Sequence, residues 1–313
     1  MKVVQHMGAR SSKKDLGVGL TDLTNKEKTI LIDALRQTYP LSDLLDCIDV
    51  AKSSYFYQKG ALRTPDKYAN LRIEVCRLFY ENDRRYGYRR IHELVKRDGT
   101  VVSEKIVQRI MKEEQLIVAG KRKRKYSSYL GEIGPEIENI LERDFHATKP
   151  NLKWLTDLTE FHIPAGKVYL SPILDCFDGM AVSWNIGTRP NADLVNTMLD
   201  DAIATLNDDE KPIVHHDRGC HYRWPGWIER MDRAKLMRSM SAKGCSADNA
   251  ACESFFGHLK NEMFYTRSWY GVSIKEFIEI LDDYMHWYNE KRIKMTLGAQ
   301  SPVEYRKSLE YAA

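Results

Sequence analysis

Three acidic residues stand in local contexts that suit metal-dependent chemistry. Asp157 lies within TDLTEFHI, a segment typical of a strand, and Asp217 ends the apolar run PIVHHDRG. Glu253 lies in a helical segment, and 35 residues separate it from Asp217. Three carboxylates brought together would hold two divalent ions, which activate the attacking oxygen and stabilise the leaving oxygen during in-line attack on a phosphodiester. Hard oxygen ligands favour Mg²⁺ or Mn²⁺.

The sequence around these acids closely resembles the catalytic subunit (OrfB) of bacterial insertion-sequence transposases of the IS-three type, which are relatives of retroviral integrase. Five segments carry the resemblance in the same order: WLTDLTEF, KVYLSPILDCFDGMAVSW, VHHDRGCHY, SMSAKGCSADNAACESFFGHLKNEMFY and YMHWYNEKRIKMTLGAQSPVEY. They extend over residues 150–306, about half of the chain. Five ordered segments are far more specific than an isolated acidic triplet.

The resemblance assigns the family's three metal-binding acids to Asp157, Asp217 and Glu253, and its basic residue two helical turns later to Lys260. It implies an α/β, ribonuclease-H-like (integrase-type) mixed-sheet core that uses two Mg²⁺ or Mn²⁺ ions. The implied activity is that of a DNA transposase, which cleaves DNA strands at the ends of an insertion sequence and transfers them to a target.

Two positions depart from the family pattern. His216 stands where the family usually has Ser, and Ala247 where Pro is common. Neither change removes an acid. An imidazole next to Asp217 would add a nitrogen ligand and favour softer transition metals over Mg²⁺. The alternation of side chains along a strand equally allows His216 to point away from the metals.

Composition indicates a cytoplasmic protein of two or three domains. The chain has 313 residues, 43% of them hydrophobic, which is enough for packed cores. No stretch reaches the length of a membrane span, and the first 20 residues lack the apolar run of a signal peptide. The six cysteines form no CxxC pair and suggest no disulfide framework.

Positive charge is concentrated upstream of the acids. Residues 84–125 contain fourteen Lys or Arg against five Asp or Glu, although the whole chain has a net charge of only +4. The pattern predicts a helix from Ser103 to Glu114 with one apolar face and one basic face, as docking in a DNA groove requires. The DNA-binding candidates are Lys105, Arg109 and Lys112 on that helix, Lys121, Arg122, Lys123 and Arg124 after it, and Lys260. The alternative is an ordinary solvated surface.

The domain organisation follows from changes in pattern along the chain. The predicted parts are a disordered N-terminus (1–20), a helix-turn-helix-like segment (21–62), a second helix-turn-helix-like DNA-binding module (63–120), a basic linker (121–149), an integrase-like catalytic core (150–265) and a C-terminal helical extension (266–313). Within the core, the predicted order is three antiparallel strands, a helix, a strand, a helix, a strand and the helix of Glu253. That order is the one that the resemblance implies.

Other residues compete for functional roles. Asp175 and Asp178 are acids in a strand and its turn, and Asp178 beside Gly179 is most simply a turn former. Zinc is an alternative ligand for the His and Cys residues of this region, although they lack the paired spacing of zinc sites. These residues are His215, His216, Cys220, His221, Cys245, Cys252 and His258. Further backbone contacts to DNA are predicted for Tyr265, Arg267, His286, Tyr288, Asn289 and Arg292, with core packing as the alternative for the aromatic ones.

The expected partners are DNA, both the terminal inverted repeats and the target, and further copies of this chain in a homo-oligomer. In the family that the chain resembles, ribosomal frameshifting often joins the catalytic subunit to an upstream partner (OrfA) that carries a zipper. This sequence shows no heptad zipper, so it is expected to need such a partner or fusion. The alternatives are a non-catalytic DNA-binding regulator and a ribonuclease-H-fold nuclease without strand transfer.

Overall fold

The computed structural model describes residues 23–118, 137–242 and 246–312. The predicted disordered N-terminus, the basic run Lys121–Lys125, Cys245 and the side chain of Ala247 lie outside the described residues. The chain divides into two units, Met1–Glu74 and Val75–Ala313. Within the described ranges, no helix is both long and apolar enough to span a bilayer.

The first unit contains helices α1 (Asn25–Leu35), α2 (Leu41–Ile48) and α3 (Lys52–Arg63). Thr24 caps α1 in a reciprocal capping box with Glu27. Asp49 adopts a left-handed conformation (φ 55°) that ends α2. A small core around Ile32, Leu44 and Tyr55 holds the three helices together.

Three further helices precede the sheet: α4 (Ala69–Glu81), α5 (Tyr88–Arg97) and α6 (Glu104–Glu113). Helix α6 corresponds to the helix predicted from Ser103 to Glu114, with Ser103 at its N-cap position. On α6, Val107, Ile110 and Met111 are buried, whereas Lys105, Arg109 and Lys112 are exposed. The predicted division of this helix into an apolar and a basic face is therefore confirmed.

The region predicted as the core (150–265) forms a six-stranded mixed sheet within the described residues. Its strands are β1 (Lys153–Thr156), β2 (Thr159–Ile163), β3 (Gly166–Asp175), β4 (Ala181–Gly187), β5 (Ile213–His216) and β6 (Met237–Met240). Strands β1 to β4 pair in antiparallel fashion through β3, and β5 and β6 extend the sheet in parallel with β1. The helices are α7 (Ala192–Ala204), α8 (Pro225–Arg233), α9 (Ala250–Leu259), α10 (Ile274–Glu290) and α11 (Pro302–Ser308).

The segment predicted as one strand over Lys153–Ile163 is interrupted at Asp157. Strands β1 and β2 lie on the same edge of β3 in one continuous register, which sets Asp157 opposite Pro172. The flanking pairs are Thr156 with Ile173 and Thr159 with Leu170. Proline has no N–H to donate to the ladder, so the pairing fails at this point. The sequence prediction missed the break because it arises from a residue on another strand.

Two hydrophobic layers cover the sheet, one on each face. Trp154, Ile173 and Val214 pack beneath α7 and α8. Leu155 and Leu170 face the other way, toward α9 and α10. Alternate residues of one strand thus belong to opposite layers, as the pleat of a strand requires. The result is a three-layer α/β core with α9 and α10 on a single face.

Buried ion pairs fasten the C-terminal helices to this core. Arg306 on α11 donates to Asp175 at 2.8 Å and to Asp178 at 2.6 Å, which explains the burial of both acids. Arg292 makes two hydrogen bonds to Glu262, at 2.8 and 2.6 Å. The predicted C-terminal extension therefore packs as part of the core layer.

Two residues that were predicted to contact DNA make hydrogen bonds to backbone groups within the protein. The side chain of Asn289 exchanges two hydrogen bonds with the backbone of Ala181, at 2.9 and 2.8 Å, and is buried. Tyr288 donates to the carbonyl of Gly179 at 2.8 Å. These internal contacts agree with core packing, which was the stated alternative for Tyr288, while DNA contact by Asn289 and by the buried Arg292 stays a prediction.

We expect Arg306→Met to lower the free energy of unfolding by about 3–5 kcal/mol, because it leaves Asp175 and Asp178 buried without their cation. Urea unfolding followed by circular dichroism measures this change. Lys275→Met is the control, since Lys275 is exposed and pairs loosely with Glu279 at 3.8 Å. Equal stability of the Arg306 variant and wild type would contradict the structural role of this ion pair.

Candidate active site

The pairing of β1 with β5 brings the first two acids together. The strands are parallel, and Thr156 is in register with His216. Asp157 and Asp217 are the next residues of each strand, so they leave the sheet side by side at its carboxyl edge. Neighbouring strands lie about 4.8 Å apart. In open α/β sheets this edge is where ligands bind.

Strand alternation directs both acids to the same face of the sheet. Leu155 lies in the layer under α9 and α10, and Asp157, two residues later, shares its direction. Asp217 follows His215 in the same way. Helix α9 packs on β1 and carries Glu253. The structure therefore assembles the three predicted acids at one end of one sheet face.

The surroundings of Asp157 disfavour the ionised form of its carboxyl group. Burial, and then the negative charge of Asp217, raise the pKa of the Asp157 carboxyl to about 8, and Glu253 adds to the effect. Two hydrogen bonds oppose this rise, one from the backbone N–H of Leu158 at 2.7 Å and one from the side chain of Asn249 at 2.8 Å. The carboxyl is thus protonated more readily than an ordinary Asp unless a cation compensates its charge.

Asn249 connects α9 to β1. Its amide Nδ2 donates to Asp157 Oδ2, and Glu253 follows one helical turn later on the same side of the helix. The carbonyl Oδ1 of Asn249 is buried and has no partner among the described residues. Sequence analysis did not assign this residue to the site, although its spacing of four from Glu253 was visible.

Gly219 holds the carboxylate of Asp217. Its backbone N–H donates to Asp217 Oδ1 at 2.8 Å. A Cβ added to Gly219 would lie only 2.8 Å from the same oxygen and 3.1 Å from the ring of His221. Any larger residue would displace the carboxylate, so glycine is required by close approach.

His216 points away from the acids, which is the second of the two orientations that the sequence left open. Its ring stacks on Tyr222 with centroids 4.7 Å apart and lies in the opposite hydrophobic layer, near Trp227. Its Nδ1–H donates to the carbonyl of Asp217 at 2.6 Å. Burial lowers the pKa of His216 to about 4, so the ring is neutral.

Asp248 makes hydrogen bonds to several chain segments next to the start of α9. Its carboxylate accepts hydrogen bonds from Arg143 at 2.7 Å, from the side chain of Asn139 at 3.0 Å and from the backbone of Ala242 at 2.9 Å. Its carbonyl accepts a hydrogen bond from the buried ring of His215 at 2.9 Å. The residue before Asn249 is thereby fixed to β5 and to the segment before β1. Sequence analysis missed it because its partners are distant in sequence.

Lys260 lies beyond the end of α9, where the helix widens into a π turn (Lys260–Phe264). Its ammonium group lies 5.3 Å from the ring centroid of Phe161. Burial lowers the pKa of Lys260, whereas Glu160 and Asp157 raise it. Lys260 therefore lies near enough to Asp157 for the two side chains to interact electrostatically.

Within the described part of the chain, no three His, Cys, Asp or Glu side chains form a complete metal-binding group. The three acids nevertheless offer hard oxygen donors on one face, where a bound cation would favour the ionised form of Asp157. This donor set fits Mg²⁺ or Mn²⁺. His215, a zinc candidate in the sequence, is engaged by Ser239, Ser241 and Asp248.

Comparison with known proteins agrees with this geometry. Two family models described as "Integrase core domain" match residues 147–246 and 253–309, and a model described as "HTH-like domain" matches residues 66–126. The chain is 41% identical over 276 residues to the putative transposase InsK of insertion element IS150 from Escherichia coli, covering 88% of this chain and 96% of that protein. The chain belongs to the IS3 family of insertion-sequence transposases. The resemblance and the ribonuclease-H-like fold class predicted from the sequence are thus confirmed.

Other members of this transposase family show similar relationships. The probable transposase of IS1353 from Shigella flexneri is 55% identical over 297 residues, which are 95% of this chain and 58% of that protein. This chain therefore spans little more than half the length of that relative. The transposase InsF of IS3A from Escherichia coli is 33% identical over 236 residues, 74% of this chain and 80% of that protein.

Among solved structures, the catalytic core domain of HTLV-2 integrase in complex with magnesium is similar to part of the chain. The match covers 50% of this chain and 97% of the integrase domain. Its TM-score is 0.40 and its sequence identity 16%.

We expect Asp248→Ala to loosen the start of α9. Loss of the charged hydrogen bonds should lower the free energy of unfolding by about 1–3 kcal/mol and speed amide hydrogen exchange at residues 242 and 248–252. Exchange measured by mass spectrometry tests this. Asp200→Ala is the control, because it breaks a pair with Arg230 (2.8 Å) on the other face of the sheet. Unchanged exchange at α9 in the Asp248 variant would refute the anchoring role.

Proposed function

We propose that this chain catalyses metal-dependent DNA strand cleavage and strand transfer of an insertion sequence, with Asp157, Asp217 and Glu253 as its catalytic, metal-binding acids. The observation that carries the proposal is the parallel register of β1 and β5, which delivers two acids to the face that holds the helix of Glu253. Membership of a transposase family supports the reaction class.

The proposed cofactor is a pair of Mg²⁺ or Mn²⁺ ions. Asp157 interacts electrostatically with both of the other acids, so it would contribute to both ions, while Asp217 and Glu253 would each complete one. Bound in this way, the ions would activate the attacking oxygen and stabilise the leaving oxygen. Burial and the charges of Asp217 and Glu253 raise the pKa of Asp157, and a bound cation would favour its ionised form, which agrees with this assignment.

The chain's own residues would orient these groups. The amide of Asn249 holds Asp157 Oδ2, and the backbone of Gly219 holds Asp217 Oδ1. Lys260 would bind a phosphate next to the reacting one, since an ammonium group stabilises phosphate charge. A freed 3′-hydroxyl would then attack a second phosphodiester directly, without a covalent bond to the protein.

The proposed partners are DNA and further copies of the chain. Joining two element ends to one target requires more than one active site, so we propose a homo-oligomer on DNA. The exposed basic face of α6 (Lys105, Arg109 and Lys112) would follow the DNA backbone. The basic residues Lys121, Arg122, Lys123 and Arg124 would add further phosphate contacts. An upstream OrfA-type partner, separate or fused, remains part of this proposal.

Asp157→Asn, Asp217→Asn and Glu253→Gln should each abolish cleavage and strand transfer, because each amide keeps the shape of the side chain but removes a metal-binding charge. Activity is measured on labelled element ends with Mg²⁺ or Mn²⁺, and Ca²⁺ binding is measured by calorimetry. Asp201→Asn, an exposed acid on α7, is the control and should retain full activity.

Near wild-type activity in any one of the three variants would remove that residue from the catalytic set. The DNA products distinguish a transposase from the two alternatives, a nuclease and a DNA-binding regulator. Cleaved ends without joined products would indicate a nuclease, and DNA binding without any cleavage in every divalent metal would indicate a regulator.

For the basic face of α6, the triple change of Lys105, Arg109 and Lys112 to Gln should weaken DNA binding and reduce its dependence on salt. Each lost phosphate contact lowers the slope of log K against log salt by about one unit. Fluorescence anisotropy with a duplex end at several salt concentrations measures this slope. The matched control is Glu104→Gln with Glu114→Gln, which changes exposed charges next to the face. An unchanged slope in the triple variant would show that this face does not contact DNA and is an ordinary solvated surface.

A further inference from the structure

A second concave site lies on the other side of α9 from the acids. Within the Val75–Ala313 unit, a cavity of about 430 Å³ is bounded by strand residues Leu155 and Leu174 and by one side of α9. The α9 residues on its wall are Ala251, Ser254, Phe255 and His258. At 100° per residue, these four share a face, and Glu253 points about 160° away from it. The cavity is therefore separate from the acid cluster.

Basic side chains line part of the wall, which is otherwise mostly apolar. Arg90, Arg292 and Lys294 line the cavity, together with His258. They are close enough to repel one another: the charge of Arg292 lowers the pKa values of Arg90, Lys294 and His258, although burial is the larger cause for each. Such a grouping is costly unless anions compensate it.

The carboxylates near the cavity do not neutralise all of this positive charge. Both oxygens of Glu262 are engaged by Arg292, and Arg90 reaches Glu262 only at 3.5 Å. Asp175, the one carboxylate among the described lining residues, is held by Arg306 and by two backbone N–H groups. Arg90 therefore keeps most of its N–H donors without a carboxylate partner.

Lys294 is the most poorly compensated of the group. Its ammonium donates to the carbonyl of Asp178 at 2.6 Å and contacts the hydroxyl of Tyr288 at 3.3 Å. Among the described residues, no carboxylate lies within salt-bridge distance of it. Burial, and then the charge of Arg292, lower its pKa to about 8, and the charge of Asp178 opposes this change only in part.

We propose that this cavity binds a phosphate group, with Arg90 and Lys294 as its main ligands and Ser254 and Thr296 as further donors. A guanidinium fork, an ammonium group and two hydroxyls match a tetrahedral anion with several oxygens better than they match a single carboxylate. The volume also admits a sugar attached to the phosphate. The phosphate would come either from the DNA backbone or from a free phosphate-bearing molecule. The inference rests on this geometry and not on the proposed cleavage activity.

The first test uses inorganic phosphate with the full-length chain, in metal-free buffer at pH 7 and with chloride at equal ionic strength as the reference. Phosphate should raise the melting temperature of wild type, and titration should give a dissociation constant at least tenfold weaker for the double variant Arg90→Gln/Lys294→Gln. Arg89→Gln/Lys291→Gln is the matched control, because it removes the same charges at exposed neighbouring positions. The control should bind phosphate like wild type.

The second test separates the two sources by measuring duplex binding to the same proteins. If the cavity takes a DNA phosphodiester, the double variant should lower the salt slope of duplex binding by about one unit, and inorganic phosphate should compete with DNA. If it takes a free phosphate, duplex binding is unchanged while phosphate binding is lost. Both results support the site.

Equal phosphate affinity in the folded double variant and in wild type would overturn the proposal, as would absence of phosphate binding to wild type together with an unchanged salt slope. Circular dichroism checks folding. If the double variant does not fold, Arg90→Gln and Lys294→Gln are tested singly by the same criterion.

Discussion

The parallel pairing of β1 with β5 is the constraint on which the rest of the site depends. Its register sets Thr156 beside His216, and this determines that Asp157 and Asp217 emerge together at the carboxyl edge of the sheet. A shift of one residue in either strand would turn one acid into the layer beneath α7 and α8. The hydrophobic residues on both faces therefore specify the position of the acids, because the same alternation buries Leu155 on one side and Trp154 on the other.

Bringing carboxylates together is unfavourable, so other interactions must hold the arrangement. The site tolerates the repulsion at Asp157 because α9 is fixed at its start by Asp248 and Asn249, which bind to partners on separate segments. Such anchoring positions Glu253 in advance, so in the proposed function the free energy of cation binding would not be spent on moving the helix. The ion pair of Arg292 with Glu262 stabilises the same helix region at its other end.

Much of this could be predicted from the sequence, because local pattern determines the strands, the helices and the contexts of the three acids. The parts that could not be predicted are those that depend on distant residues. The break at Asp157 comes from Pro172 on a neighbouring strand, and the role of Asp248 comes from Arg143 and other residues far away in sequence. The direction of His216 was left open for the same reason, since only the packed layer around Tyr222 decides it.

Helix α9 separates two regions of opposite charge. Its face with Asn249 and Glu253 completes the acid cluster, while its opposite face, with Ser254 and His258, borders the cation-lined cavity. A cation bound on the first face and a phosphate bound on the second would each reduce the repulsion on its own side. Both would also stabilise the same helix in the same position. Because Asp248 and Asn249 already fix this position, each ligand would bind to an arrangement that is in place without the other.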